Sequence, residues 1–180
     1  MPNIYLKVPS IDELHYRQEW MKDSKTMSYN AGYDMDLKGY DKITGTITKT
    51  DEEMITWYNN WINKEPDKYF AYIYDTEIKK PIGETYFYKN NNEYMVGILI
   101  IDKYRGLGYS KKALTELMKI AFIKYGIREL TDVISSDREN AIKLFESCGF
   151  TITKNIQETI FDKKKNCKKV IITKEEYLRR

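Results

Sequence analysis

The sequence predicts one mixed α/β domain of about seven strands and four helices, and three observations carry that prediction. At 180 residues the chain is long enough for one domain with a real core and short for two. Its 42% hydrophobic and 32% charged residues are the balance of a folded globular chain, not a disordered one. Short apolar runs bounded by turn residues also alternate with segments of helical period, and no repeat or linker divides them.

The elements follow in order. Asn3 to Val8 alternates loosely up to Pro9 and reads as the first strand. Ser10 with Glu13 has capping-box spacing and opens a helix to about Asp23. Ser24 to Lys49, with Asn30, Gly32, Gly39 and Gly45 among tyrosines, reads as a long, partly ordered connection bordering a ligand site. Thr50 with Glu53 is a second capping box, and Met54, Trp57, Tyr58 and Trp61 then share one helix face. Strands are predicted at Tyr69 to Tyr74, Ile82 to Tyr88 and Glu93 to Ile101, the last ending in an apolar run suited to a sheet covered on both faces. A helix from Gly108 to Tyr125 carries Ala113, Leu114, Leu117, Met118 and Ala121 at helical spacing. Glu129 to Ser135 is a strand, and Arg138 to Ser147 is a short helix stopped by Gly149. The tail reads as strands Phe150 to Phe161 and Lys168 to Thr173, joined by a turn at Asp162-Lys163-Lys164-Lys165-Asn166.

Composition narrows the function classes. Thirty basic against 27 acidic residues leave a net charge of +3, too balanced for a nucleic-acid surface. No basic start precedes an early apolar run and no stretch approaches a membrane span, so a cytoplasmic protein with neither nucleic-acid nor membrane partner is expected. Cys148 and Cys167 lack ligand-like spacing and read as reduced structural thiols. A single histidine, His15, rules out a site built on several His ligands, and no GxSxG elbow accompanies it, so no metal cofactor is expected.

One segment carries chemistry. Ile98-Leu99-Ile100-Ile101 runs as a buried strand into Asp102-Lys103-Tyr104-Arg105-Gly106-Leu107-Gly108-Tyr109-Ser110, where a glycine turn opens a long helix. The first backbone N–H groups of a helix lack intrahelical partners and sit at the positive end of its dipole, so the turn is suited to a diphosphate. Gly106 and Gly108 let backbone approach the phosphates with no Cβ between. Neither GxxxxGK[ST] nor GxGxxG is present, which removes two other phosphate-binding loops.

Arg105 to Ser110 resembles the [Q/R]-x-x-G-x-[G/A] signature of the GNAT superfamily of N-acetyltransferases. Asn140-Ala141-Ile142-Lys143-Leu144-Phe145-Glu146-Ser147-Cys148-Gly149-Phe150 is similar to that family's second block, in the right order. The resemblance covers nearly the whole chain. It implies a single GNAT-like domain over residues 1–180, with a mostly antiparallel sheet splayed at the cofactor strand, and acetyl-CoA as co-substrate. The turn Arg105, Gly106, Leu107, Gly108, Tyr109 and Ser110 would hold the coenzyme A diphosphate through backbone amides. Ile98 and Ile100 would pair with the pantetheine arm, the Ile100 amide would polarise the thioester carbonyl, and Asn140 would bond the arm from the second helix. Two positions depart from the pattern. Ser110 replaces a Gly or Ala, and Phe145 replaces a Tyr thought to protonate the leaving thiolate. That leaves Tyr104, Tyr109 or another tyrosine as acid, or unassisted departure.

An alkyl ammonium must lose a proton before it can attack, so a general base is expected. Glu84, beside the cofactor strand, is the first candidate and Glu93 the second, while Tyr86 and Tyr88 share the face of Glu84. Tyr29 to Tyr40 with Asp34 and Asp36, and Asp51-Glu52-Glu53, supply tyrosines and carboxylates suited to a cationic small molecule. Polyamines, aminoglycoside-like compounds and amino-acid amines fit, with a monomer or homodimer as the assembly. A protein or peptide N-acetyltransferase and a non-catalytic acyl-CoA-binding module are the alternatives.

Overall fold

A computed structural model describes residues 2–180. A seven-stranded sheet runs in the order β1-β2-β3-β4-β5-β7-β6. Its strands are β1 Ile4–Lys7, β2 Lys68–Asp75, β3 Lys80–Asn90, β4 Glu93–Ile100, β5 Glu129–Ser135, β6 Thr151–Ile160 and β7 Lys163–Thr173. Every neighbouring pair is antiparallel except β4 and β5, which are parallel. Helices α1 Leu14–Lys22, α2 Ser24–Met27, α3 Asp51–Trp61, α4 Tyr109–Lys119, α5 Glu139–Ser147 and α6 Lys174–Leu178 complete the chain. The expected mixed, mostly antiparallel sheet is present; two of the six helices are single short turns beyond the four expected, α2 within the segment read as a partly ordered connection and α6 just after the last predicted strand.

Two hydrophobic layers cover the sheet because its strands alternate. On one face Ala71, Phe87 and Val96 pack against Leu114, Leu117 and Met118 of α4 and Ile142 and Phe145 of α5. Ile73, Ile82 and Ile100 meet Ala113 on that side. On the other face Phe70, Tyr72 and Tyr74 meet Trp20 of α1, with Trp57, Trp61 and Tyr86 against them. Both capping boxes form as their spacing requires, Ser10 with Glu13 and Thr50 with Glu53. The first begins with a 3-10 turn at Ile11–Glu13 that runs directly into α1. The predicted long helix ends as an α-helix at Lys119, and a π turn over Ile120–Lys124 follows. That wider turn keeps both Ala121 and Phe122 fully buried.

The tail departs from its prediction. Ile160 pairs directly with Lys163, so the hairpin turns on Phe161 and Asp162, and the basic cluster lies inside β7. Phe161 supplies the positive φ, 56°, that a tight hairpin needs. Lys163 and Lys165 stand over the Tyr33 ring at 5.3 and 5.2 Å, and Lys163 Nζ donates to the Gly32 carbonyl at 2.6 Å. These lysines are therefore not a solvated turn; they hold the connection between α2 and α3 against the sheet.

Glu13 ties the first helix to the sheet. Its carboxylate accepts from the Ser10 amide at 2.9 Å, from Lys7 Nζ at 2.6 Å and from the Tyr74 hydroxyl. Burial alone would raise this carboxyl, but the hydrogen bonds from Lys7, Tyr74 and Ser10 outweigh it and bring it from 4.5 down to about 2. A depressed carboxylate stabilises the fold above its unfolded pKa, and that contribution is lost as pH falls through the folded one. Glu13→Gln should cost on the order of 3 kcal/mol near neutral pH. Urea unfolding as a function of pH checks this: the gap to wild type should close as pH falls from 4.5 to about 2, and a pH-independent gap would contradict the assignment.

Candidate active site

The site begins where the sheet stops being a sheet. On one edge β4 pairs continuously with β3, from Glu93 with Asn90 to Ile100 with Gly83. On the other edge it meets β5 only at Met95 with Thr131. Beyond that pair the two strands diverge and leave a gap alongside Val96 to Ile100. Antiparallel pairing alternates the direction of backbone groups. Because Ile101 N–H donates to the Ile82 carbonyl at 3.0 Å, the groups of Ile98 and Ile100 point away from β3, into the gap. The Ile100 carbonyl accepts from Arg105 Nε at 3.0 Å. The Ile100 N–H and both groups of Ile98 are left without a strand partner.

At the open end of the gap, a 3-10 turn at Asp102–Tyr104 leads to Gly106, Gly108 and α4. Both glycines have positive φ, 76° and 85°. From Gly106 to Lys111 no backbone N–H finds an acceptor among the described residues, and the first such bond is Lys112 N–H to the Gly108 carbonyl at 3.4 Å. A Cβ added at Gly106 would meet nothing within 4 Å, and one at Gly108 only the Pro2 ring at 3.8 Å. Six consecutive free donors around open space fit a diphosphate in both charge and room. The Ser110 hydroxyl is unengaged, so this departure from the signature adds a donor rather than an obstacle.

Arg105 behaves differently from its neighbours. Its own N–H donates to the Asp102 carbonyl at 3.0 Å. Its guanidinium spans the Ile100 carbonyl at 3.0 Å and the Thr26 carbonyl at 2.6 Å. Asp102 N–H donates to Thr26 Oγ1 at 3.1 Å, a second tie between α2 and this turn. Arg105 thus builds the cradle from behind.

The expected acids and bases are distributed unequally. Tyr104 packs beside Ile82, Ile100 and Ala113, on the α4 side of the sheet. The Tyr109 hydroxyl donates to Asp75 at 2.5 Å, and that bond pushes its pKa up to about 12. Phe145 is buried edge-on to Phe150, with ring centroids 4.8 Å apart. Glu93 lies at the far end of β4, paired with Lys169. Asn140 is exposed near the start of α5 and makes no hydrogen bond within the described residues.

Glu84 sits opposite Leu99, buried on the α1 and α3 face. It accepts from Arg17 Nε at 3.0 Å, and the Arg17 guanidinium lies 4.3 Å from the Trp57 ring. Burial raises the Glu84 pKa against the pull of Arg17. Next along β3, the Tyr86 ring lies flat over Gly97, where any β-carbon would collide with it. Gly97 therefore lets Tyr86 cross β4 and bring its hydroxyl to the gap. Of the five carboxylates expected to receive a cation, three are otherwise occupied, while those of Asp36 and Glu52 have no partner among the described residues. Asp34 pairs with Lys42, Glu53 caps α3 and pairs with Lys38 at 3.2 Å, and Asp51 accepts from Gln18 at 2.9 Å.

Sequence reasoning missed Arg17, Arg138 and Asp132. Arg138 lies 5.3 Å over the Tyr29 ring, joining the 24–49 connection to the start of α5 across the mouth of the gap. Asp132 follows Thr131, so it stands where β5 begins to leave β4. Its one sequence signal was a charge in mid-strand, among Leu130, Val133 and Ile134. Among the described residues no cluster of His, Cys, Asp and Glu stands ready for a metal, and no helix is long and apolar enough to cross a membrane.

A splayed mixed sheet with a donor-lined turn at its mouth defines a class of acyl-carrier-binding transferases, and comparison with known proteins agrees. The sequence model of the acetyltransferase (GNAT) domain matches residues 5–151, so the chain belongs to the GNAT acetyltransferase family and uses acetyl-CoA. No curated protein matches the sequence. Among solved structures, the Vibrio cholerae spermidine N-acetyltransferase in complex with CoA and spermine superposes with a TM-score of 0.77 at 17% identity, over 97% of this chain and 98% of that one. A chimera of the Vibrio cholerae enzyme and hSSAT gives 0.76 at 16% identity, over 98% and 99%. Identities this low establish a shared fold.

The clamp has a measurable consequence. Arg105→Lys cannot reach both carbonyls with one ammonium, so urea unfolding should show a loss of about 1–2 kcal/mol. Stability equal to wild type would mean that the α2 tie does not depend on the guanidinium.

Proposed function

We propose that the chain acetylates a primary amine of a small cationic molecule by direct attack of the amine on acetyl-CoA. The observation that carries this reading is the covered acceptor side of the gap. There the 24–49 connection is held down by Lys163 on Gly32 and by Arg138 on Tyr29, over a floor of Glu84, Tyr86 and Trp57. A peptide acceptor needs an open groove along which backbone can lie. A small amine needs a pocket with aromatic walls and net negative character. The spermine in the Vibrio cholerae complex, bound to a protein of this fold, supports the same class. Polyamines, aminoglycoside-like compounds and amino-acid amines all meet the description.

The roles follow from the placement. Amides from Gly106 to Ser110 hold the diphosphate, with Arg105 bracing their turn. Ile98 and Ile100 offer strand groups to the pantetheine arm, and Asn140 adds a side-chain partner from α5. The gap-facing N–H groups of Ile98 and Ile100 are the donors available for negative charge developing on the acyl oxygen, and that of Ile98 is the nearer to the closed end of the gap. Tyr104 stays in the packing beneath Ile100 and supports that strand. Glu84, fixed by Arg17, is a carboxylate on the acceptor side and draws the ammonium in. Its removal also strands a buried guanidinium: Glu84→Gln should cost about 3 kcal/mol in thermal or urea unfolding, and a loss below 1 kcal/mol would contradict the buried pair.

A thiol-release assay with acetyl-CoA over polyamines, aminoglycosides, amino acids and peptides tests the function. Turnover is expected with at least one small amine; turnover with peptides alone would select the peptide reading, and binding without turnover the non-catalytic one. Gly108→Asp puts a carboxylate at the diphosphate and should weaken coenzyme A at least 100-fold by calorimetry, while strain at its positive φ costs only about 1–2 kcal/mol of stability. Undiminished affinity would remove the cradle.

A further inference from the structure

We propose that Asp132 takes the proton from the attacking amine. The proposal rests on the amine-acetylation reading above and assigns the base within it.

The first argument is direction. The diphosphate cradle lies at the open end of the gap, after β4 ends at Ile100. The gap closes at Met95 with Thr131. An arm laid along β4 from the cradle can point its reactive end only toward that apex. Asp132 is the first β5 residue past the apex, level with Val96 and Gly97. Tyr86 delivers its hydroxyl to the same place, across Gly97. Glu84 lies nearer the open end, opposite Leu99.

The second argument is availability. Burial raises the Glu84 pKa, but one of its oxygens already accepts from Arg17 at 3.0 Å and is engaged rather than open to an incoming proton. Asp132 has no ion pair among the described residues; one oxygen accepts from the Val133 amide at 2.8 Å and the other is free. The titratable groups whose charge reaches it are few, Tyr86 and Tyr88 from β3 and Arg138 at the start of α5, and its cross-strand partner on β7 is uncharged Val170. Burial raises its pKa from 3.8 to about 7, with the Val133 amide and Arg138 pulling the other way. A base poised near the working pH is the one that general-base catalysis favours.

The step balances. The amine nitrogen forms a bond to the acyl carbon while the carbon–sulfur bond breaks and its electron pair leaves on sulfur. The proton lost by nitrogen goes to the free Asp132 oxygen and then to solvent, and the thiolate is protonated by water.

Asp132→Asn keeps the shape of the side chain and removes the base. With the best amine from the panel, kcat should fall at least 100-fold while the calorimetric affinity for coenzyme A stays within about threefold. The wild-type kcat should rise with pH through an apparent pKa of about 7, and this limb should vanish in the variant. Carbon-13 carboxyl titration of the ligand-free protein gives a readout apart from turnover: one Asp signal should titrate near 7 and be missing from Asp132→Asn. Retained kcat, a wild-type profile flat across that range, or no such signal overturns the proposal. Should Asp132→Asn fail to fold, the wild-type profile and titration decide. Wild type inactive on every amine would sink the acetylation reading itself; an active wild type matched by the variant sinks only Asp132.

Discussion

The rest of the structure depends on β4 having a paired edge and an unpaired one. Strand groups without a partner are costly when shielded from water, so a gap inside a sheet has to be held open by something. Here Arg105 does part of that work. By occupying the Ile100 carbonyl and reaching the Thr26 carbonyl, it removes the acceptor β5 would need and ties the end of β4 to α2. Below the gap, α4 and α5 pack through Leu117, Ile142 and Phe145 into the core under both strands, so the halves of the sheet stay joined while their edges separate. The edge groups of Ile98 and Ile100 are then available to an extended ligand in the geometry of an added strand.

The same divergence organises the electrostatics. Glu84 and Asp132 both act on Tyr86, and their environments differ. Glu84 faces Arg17 inside an aromatic layer. A buried pair of this kind seldom raises stability over an apolar substitute, because both charges must be desolvated, so its presence points to a requirement beyond folding. Asp132 has burial without a close cation. Burial raises both carboxyls, and what separates them is the partner: Glu84 has a guanidinium within 3.0 Å to hold its charge, whereas Asp132 has none and is left to move a proton.

Much of this was legible in the sequence, for identifiable reasons. Capping boxes at Ser10 and Thr50, the apolar spacing from Ala113 to Met118, and the turn glycines 106 and 108 are local signals, and local physics decides them. Features set by contacts distant in sequence were not readable. The lysines at 163–165 look like a solvated turn until Tyr33 and Gly32, about 130 residues earlier, are seen to receive them. Arg105 looks like a ligand contact because its neighbours are, yet its partners lie at Thr26 and Ile100. Asp132 in Leu130-Thr131-Asp132-Val133-Ile134 resembles any solvent-facing strand carboxylate. Only the single Met95–Thr131 bridge reveals that it borders a gap.

The tyrosines explain why a base matters more here than an acid. Burial raises Tyr86 and Tyr88, and the bond to Asp75 raises Tyr109 to about 12. A thiolate whose conjugate acid has a pKa of about 8.5 gains little from such donors, since the transfer runs uphill by several units. Phe145 replaces the position from which the family would supply one, and Phe150 fills the space beside it. A thiolate of that basicity leaves tolerably without help, whereas an ammonium with a pKa of about 10 does not attack at all until it is deprotonated. The proton that limits the reaction is therefore the one on nitrogen, and the chain's departures from the family pattern remove help only where the chemistry needs it least.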